Sequence, residues 1–151
     1  MNDAFEVSLR LVRVQTALVK RFDGRLSALH GVSLADLMVL LELGRAEGGR
    51  MRRVDLAAAL GLTASGVTRG LVPLERIGLV VREPDPRDAR VAYASLTPTG
   101  RERLGEMLAT ADEIASDVFA APRWADGGIE TMTQLLADLS GQVGHVGHAR
   151  V

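Results

Sequence analysis

The chain of 151 residues has the length of one ordinary domain, or of two small lobes that share one core. It is 47% hydrophobic and 25% charged, which is typical of a globular protein and excludes an intrinsically disordered one. It contains no cysteine, which excludes disulfides, thiolate metal sites and thiol-based redox sensing.

The net charge of −1 hides an uneven distribution of charge along the chain. Residues 1–44 carry five basic and five acidic side chains, residues 45–103 carry eleven and seven, and residues 104–151 carry two and seven. The middle segment, at +4, is therefore the part that could face a polyanion.

No segment indicates export or a membrane. The N-terminal residues lack the uninterrupted apolar run and the cleavage site of a secretory signal. No stretch approaches the roughly 20 apolar residues that a membrane span needs. We therefore expect a cytoplasmic protein without membrane contact.

The beginning of the chain has the hydrophobic spacing of two helices. Apolar residues recur at steps of three and four from Phe5 to Leu29, which predicts a long amphipathic helix ending at Gly31. Ser33 can cap a second helix, which the glycines of residues 44–49 end.

Two shorter helices are predicted next. Residues 54–60 have the pattern of a third helix, and GLT at 61–63 ends it and caps a fourth helix over about 64–77. Pro73 lies inside this fourth helix. Because proline removes a backbone hydrogen bond and clashes with the preceding turn, we expect a kink near residues 69–73 or an early end.

Two apolar runs, Leu79–Glu83 and Val91–Leu96, predict an antiparallel strand pair around the loop EPDPRDAR at 83–90. Two short helices joined by a glycine-containing turn are typical of a helix-turn-helix, and a strand pair directly after them makes the motif a winged one.

Two further helices complete the chain. Thr97 and Pro98 suit the first positions of a fifth helix, which Pro122 ends. A sixth helix is expected over Gly128–Val143. The predicted fold class is therefore mainly α with a small β-ribbon.

A helix-turn-helix reads DNA by placing its second helix in the major groove, where side chains near the start of that helix reach base edges. The candidate contacts are Thr63, Ala64, Ser65, Thr68 and Arg69. Serine and threonine can contact bases or phosphate, and arginine can bind guanine with two hydrogen bonds. Three arginines just before the third helix are candidates for phosphate contacts: Arg50, Arg52 and Arg53.

The loop at 83–90 provides an independent indication of DNA binding. Its prolines restrict the backbone, and Asp85 and Asp88 can orient Arg87 and Arg90, so less entropy is lost when an arginine enters a minor groove. Which of the two arginines enters is left open. The competing interpretation is a surface hairpin whose exposed ion pairs contribute about 0–1 kcal/mol each.

The run DLAAALGLTASGVTRGLVPLERIGLVVREPDPRDARVAYASLTPTGRE, residues 55–102, resembles the core of the multiple antibiotic resistance regulator (MarR) family of bacterial winged-helix transcription factors. The resemblance implies a helical dimerisation lobe at 1–32 and 98–151 and a winged helix-turn-helix DNA-binding domain at 33–97. It also implies a homodimer that binds double-stranded DNA at a pseudo-palindromic operator. Family contacts carry over to Ser65, Thr68 and Arg69 in the recognition helix and to Arg87 and Arg90 in the wing.

Many family members release DNA when a small aromatic or phenolic compound binds between the two lobes. The resemblance thus implies a ligand-responsive repressor, and candidate pocket residues are Arg10, Arg13, His30, Leu37, Met38 and Met107. The absence of cysteine excludes the peroxide-sensing branch of the family.

Other functions have less support in the sequence. We find no glycine-rich phosphate loop, Ser-His-Asp grouping or carboxylate pair that would indicate an enzyme, and we expect no cofactor. The histidines, His30, His145 and His148, do not form a convincing metal site. The alternative is a winged-helix module that binds other proteins and has no specific DNA target.

Overall fold

The structure is a computed structural model that describes residues 2–85, 87–88 and 91–145, with side chains described as far as residue 143. The helices are α1 (Asp3–His30), α2 (Leu34–Arg45), α3 (Arg53–Leu60), α4 (Ala64–Arg76), α5 (Pro98–Val118) and α6 (Gly128–His145). The strands are β1 (Arg50–Arg52), β2 (Val80–Pro84) and β3 (Ala92–Leu96), and two 3-10 turns lie at Glu47–Gly49 and Pro122–Trp124. The predicted fold class, mainly α with a winged helix-turn-helix, is confirmed.

The chain forms two compact units, one ending at Asp112 and one beginning at Glu113. This division describes how the backbone clusters. The predicted assignment of 1–32 and 98–151 to a dimerisation lobe, and of 33–97 to a DNA-binding domain, concerns function and stays a prediction.

Local caps set the boundary between the first two helices as predicted. Gly31 ends α1 with φ of 70°, a left-handed conformation that favours glycine. Ser33 and Asp36 form a reciprocal capping box at the start of α2. The carboxylate of Asp23 accepts a hydrogen bond from the Leu34 amide at 2.7 Å, which ties α1 to the start of α2.

The first unit encloses one hydrophobic core between its helices and the inner end of the sheet. Its most completely buried side chains are Leu26, Leu40, Leu43, Leu56, Val67, Leu74 and Met107. Burying each of them contributes roughly 1.5–3 kcal/mol, so this core supplies much of the driving force for folding.

The sheet has three antiparallel strands in the order β1-β3-β2. β2 and β3 lie within one residue of their predicted positions, but β1 was missed. Its three residues, Arg-Met-Arg, are too short and too charged to show a strand pattern, and they become a strand because β3 offers hydrogen-bonding partners. In the register, Met51 lies opposite Ala94 and Arg52 lies opposite Tyr93.

Pro73 does not end α4 early, since the helix continues to Arg76. Leu71 and Leu74, on either side of the proline, are almost completely buried. Their packing holds both parts of the helix against the core and offsets the backbone hydrogen bond that the proline removes. Gly78, with φ of 74°, then turns the chain toward β2.

Thr97 joins the start of α5 to the inner end of β2. Its hydroxyl accepts a hydrogen bond from the Gly100 amide at 2.9 Å and donates to the Gly78 carbonyl at 2.7 Å. Its own amide donates to the Leu79 carbonyl at 3.1 Å. Thr97 is therefore the predicted N-cap, and it also holds α5 against the strand.

In the second unit, the rings of Phe119 and Trp124 pack edge to face, with centroids 5.2 Å apart. One side of α6 carries exposed apolar side chains, namely Ile129, Leu135, Leu136, Leu139 and Val143. Within the described ranges, no helix taken singly has the length and apolar composition for crossing a membrane.

We predict that Gly100→Ala lowers the free energy of unfolding by about 1–3 kcal/mol, because the added methyl group would overlap the Leu79 carbonyl oxygen. The matched control is Gly105→Ala in the same helix, where a methyl group meets open space. The free energy of unfolding of this control should rise by about 0.5–1 kcal/mol, since alanine loses less backbone entropy than glycine when the helix forms. Urea unfolding measures both changes, and equal effects would contradict the close approach at Gly100.

Candidate nucleic-acid interface

The two helices of the helix-turn-helix are joined by a turn that caps both of them. Gly61 ends α3 with φ of 64°, and the Leu62 amide donates to the Ala57 carbonyl at 2.9 Å. Thr63 caps α4, because its hydroxyl accepts a hydrogen bond from the Gly66 amide at 3.1 Å. The predicted turn at 61–63 is therefore present with the expected cap geometry.

The exposed and buried sides of α4 separate as the sequence predicts. Val67, Leu71 and Leu74 face the core. The exposed side chains are Ala64, Ser65, Thr68, Arg69, Val72, Pro73, Glu75 and Arg76. In the described part of the chain, no hydrogen bond or ion pair holds the guanidinium group of Arg69. The candidate recognition residues thus share one solvent-facing side.

Two pairs of side chains are already bonded on this surface. The Thr63 and Ser65 hydroxyls lie 3.1 Å apart in a hydrogen bond in which either can donate. The Thr68 hydroxyl donates to the Ala64 carbonyl at 2.9 Å and accepts from Nη1 of Arg53 at 3.1 Å. The second pair connects the two helices of the motif, and sequence reasoning did not anticipate it.

Arg52 forms a two-point ion pair with Asp55 in the first turn of α3. Its Nε and Nη2 atoms lie 2.6 and 3.0 Å from the two carboxylate oxygens. The hydrogen bond to Asp55 raises the pKa of the Arg52 guanidinium, and Coulombic attraction to the same carboxylate raises it further. The ion pair therefore occupies part of the hydrogen-bond donor set of Arg52.

Arg50 binds residues of the two other strands. Its guanidinium carbon lies 4.8 Å from the centroid of the Tyr93 ring, a cation-π distance, and its Nη1 atom lies 3.9 Å from a carboxylate oxygen of Glu83. Glu83 and Tyr93 are opposed on β2 and β3. Sequence reasoning missed both partners, because no local pattern indicates that β1 lies beside β3.

The described part of the wing is shaped by backbone and aspartate hydrogen bonds. The Asp85 carboxylate accepts from the Arg87 amide at 2.7 Å, and the Asp85 amide donates to the Val91 carbonyl at 3.0 Å. The Val91 amide donates to the Asp88 carbonyl at 2.9 Å. The Arg87 side chain is exposed, while Arg90 lies outside the described residues.

Comparison with known proteins identifies the family. The model of the MarR family matches residues 30–91, which contain the helix-turn-helix and β2. The fold matches that of AbsC, a MarR family transcriptional regulator from Streptomyces coelicolor, with a TM-score of 0.80 and 25% identity, over 99% of this chain and 98% of AbsC. The chain belongs to the MarR family.

Further relatives agree with this placement in the MarR family. YdgJ of Bacillus subtilis, an uncharacterised HTH-type transcriptional regulator, is 34% identical over 103 residues, which make up 68% of this chain and 59% of YdgJ. The chain spans 59% and 49% of the lengths of the two curated relatives that it matches. A mutant MarR from E. coli complexed with operator DNA has the same fold, with a TM-score of 0.80 and 21% identity, over 91% of this chain and 96% of that one.

The residues that the MarR resemblance suggests for a ligand pocket lie in different surroundings. Leu37 and Met107 are buried in the core of the first unit, whereas Arg10, Arg13 and Met38 are exposed. His30 is half-buried, and its Nε2 atom lies 2.9 Å from the Thr110 hydroxyl. The pocket stays a prediction.

Metal binding gains no support from the described residues, among which no group of three or more potential ligands is close enough to hold an ion. The side chains of His145 and His148 lie outside the described residues.

MarR family proteins are transcriptional regulators and not enzymes.

We predict that Thr63→Ala lowers the free energy of unfolding by about 0.5–2 kcal/mol, because the Gly66 amide loses its cap. Thr63→Ser keeps the hydroxyl and should lower the free energy of unfolding much less than Thr63→Ala does. The matched control is Ser65→Ala, which removes the hydroxyl bonded to Thr63 and leaves the Gly66 bond in place. Urea unfolding compares the three variants, and an equal loss for Thr63→Ala and Ser65→Ala would contradict the role of the cap.

Proposed function

We propose that the protein is a homodimeric transcriptional regulator that binds a pseudo-palindromic operator in double-stranded DNA. The observation that carries the proposal is the exposed side of α4, where Ala64, Ser65 and Thr68 lie on the same side as Arg69, whose guanidinium is unbonded in the described structure. Small side chains let the helix approach the groove closely, and a free guanidinium can donate two hydrogen bonds to guanine.

The charge of the winged domain supports DNA as the partner. Residues 45–103 carry a net charge of +4. Across the described ranges, no hydrogen bond or ion pair holds the guanidinium groups of Arg69, Arg76, Arg82 and Arg87. These groups can bind phosphate oxygens or enter a groove without first breaking an internal contact. In this proposal one of the two wing arginines, Arg87 or Arg90, supplies the minor-groove contact.

The exposed apolar side chains of the terminal helices support a dimer. In α1, Phe5, Val7, Val12 and Val14 are each more than half exposed, and α6 presents the apolar side described above. A second copy of the chain would bury such surfaces. A two-fold dimer would place two recognition helices about one helical turn apart, roughly 34 Å, which matches a pseudo-palindromic site.

The regulator that we propose is a cytoplasmic repressor released by a small aromatic or phenolic ligand. This part rests on the family and on His30, whose Nδ1 atom is buried and has no hydrogen-bond partner in the described structure. A phenolic hydroxyl or a carboxylate could satisfy such an atom. The other five candidates, Arg10, Arg13, Leu37, Met38 and Met107, have no contact that singles them out.

DNA binding is tested by selecting duplexes from a library randomised over about 30 base pairs, long enough for two half-sites. Arg69→Ala should lower affinity for the selected duplex and relax the preference for one base pair by about 1–3 kcal/mol, because its bonds to guanine are lost. The matched control, Arg123→Ala, removes an arginine outside the winged domain and should bind as the wild type does. Fluorescence anisotropy measures the affinities.

Unchanged affinity of the Arg69 variant would remove this residue from the interface. If no duplex is enriched by the wild-type protein, the alternative, a module that binds other proteins, replaces the proposed function.

Dimerisation predicts that Leu135→Glu converts the protein to a monomer in dilute solution, because a carboxylate would be buried where an apolar side chain now lies 61% exposed. The matched control is Gln134→Glu, which adds the same charge on the opposite side of α6 and should leave the dimer intact. Light scattering coupled to size exclusion gives the mass. A wild-type protein that elutes as a monomer would contradict the proposed dimer.

A further inference from the structure

We propose that Arg53 is a positioning residue that makes Thr68 a pure hydrogen-bond acceptor, so that Thr68 selects a base that carries an amino group, adenine or cytosine, on the strand it contacts. This inference rests on the proposed function, since it specifies how α4 discriminates between sequences. It changes the role of Arg53 from a phosphate contact to a determinant of specificity.

The geometry connects the two helices through one hydroxyl group. Arg53 is the first residue of α3, and Thr68 lies one turn into α4, fifteen positions later. Nη1 of Arg53 lies 3.1 Å from Oγ1 of Thr68, and the same oxygen lies 2.9 Å from the Ala64 carbonyl. The hydroxyl is therefore held by its own helix and by the neighbouring one.

The number of hydrogen bonds that a hydroxyl can form decides what remains for DNA. A threonine hydroxyl has one hydrogen and two acceptor lone pairs. Because a carbonyl cannot donate, the hydrogen points to Ala64, and because a guanidinium cannot accept, one lone pair takes the bond from Arg53. One lone pair remains, so Thr68 can accept one further hydrogen bond and cannot donate any.

This polarity excludes most partners on DNA. Phosphate oxygens, guanine O6 and N7, and thymine O4 are all acceptors. The donors that the major groove presents are the amino groups of adenine and cytosine. We therefore expect Thr68 to favour adenine or cytosine at the position it contacts and to make no phosphate contact, which narrows the wider range of partners that the sequence allowed.

Ser65 lies on the same side of α4 and has no such restriction. Its hydroxyl is bonded to the Thr63 hydroxyl, and either group can donate in that bond. Ser65 can therefore rotate to donate to phosphate or to accept from a base. Ser65 therefore serves as a comparison for Thr68, because its hydroxyl can either donate or accept a hydrogen bond.

The test uses the duplex that the full-length protein selects from the randomised library, with each base pair varied in turn. The wild type should show one position where adenine or cytosine is preferred by about 3- to 10-fold, the effect of one hydrogen bond. Thr68→Val, which keeps the shape and removes the hydroxyl, should abolish that preference alone. If the preferred base is adenine, replacing it by purine, which lacks the amino group, should lower the affinity of the wild type by about the same 3- to 10-fold. The affinity of Thr68→Val should not change.

Arg53→Ala should reduce the preference at that same position to less than about 2-fold, because the hydroxyl is no longer fixed, and should leave the salt dependence of binding unchanged. The matched controls are Arg52→Ala, whose side chain is paired with Asp55, and Ser65→Ala, and neither should alter the Thr68 position. Since a preference is a ratio of two affinities measured on one protein, partial unfolding of a variant cancels.

Three results would overturn the inference. If Arg53→Ala lowers affinity equally for every sequence and reduces the salt slope by about 1, Arg53 is a phosphate contact. If the position that Thr68→Val affects responds to removal of guanine O6 or thymine O4 in a base analogue and not to removal of the amino group of its partner, the hydroxyl donates. In both cases the proposed function stands. If the wild type enriches no duplex at all, the proposed function fails and the inference fails with it.

Discussion

The antiparallel pairing of β1 with β3 is the constraint on which the candidate interface depends. β3 lies in the centre of the sheet, so its two edges hold β1 on one side and β2, which leads into the wing, on the other. α3 begins at Arg53, directly after β1. The start of the helix-turn-helix and the wing are therefore joined through backbone hydrogen bonds, which are short and directional and permit little change in their relative positions.

Five arginines of the winged domain fall into two groups. Arg50, Arg52 and Arg53 are close to the sheet and have internal partners in Tyr93 and Glu83, Asp55 and Thr68, respectively. Arg69 and Arg87 have exposed guanidinium groups that no bond restrains in the described structure. These contacts hold the guanidinium groups of the first group in place, whereas those of the second group keep their conformational freedom.

The wing also shares its inner end with α5. Thr97 bonds to the carbonyls of Gly78 and Leu79, and Gly100 permits the close approach because it has no side chain. Thr97 thus connects three points of the chain: the turn after α4, the start of β2 and the start of α5.

The sequence by itself determined the order of the helices, their caps and the solvent-facing side of α4. Gly31, Ser33, Gly61, Thr63 and Thr97 all fulfil their predicted roles, because a cap depends on chemistry within a few residues and helical spacing decides which side is exposed. Pro73 does not end α4 early, because buried neighbours, which local rules omit, offset its cost. Tertiary structure alone decided the third strand and the partners of Arg50 and Arg53. These contacts join residues 15 or more positions apart, and only packing around the shared core brings them within bonding distance.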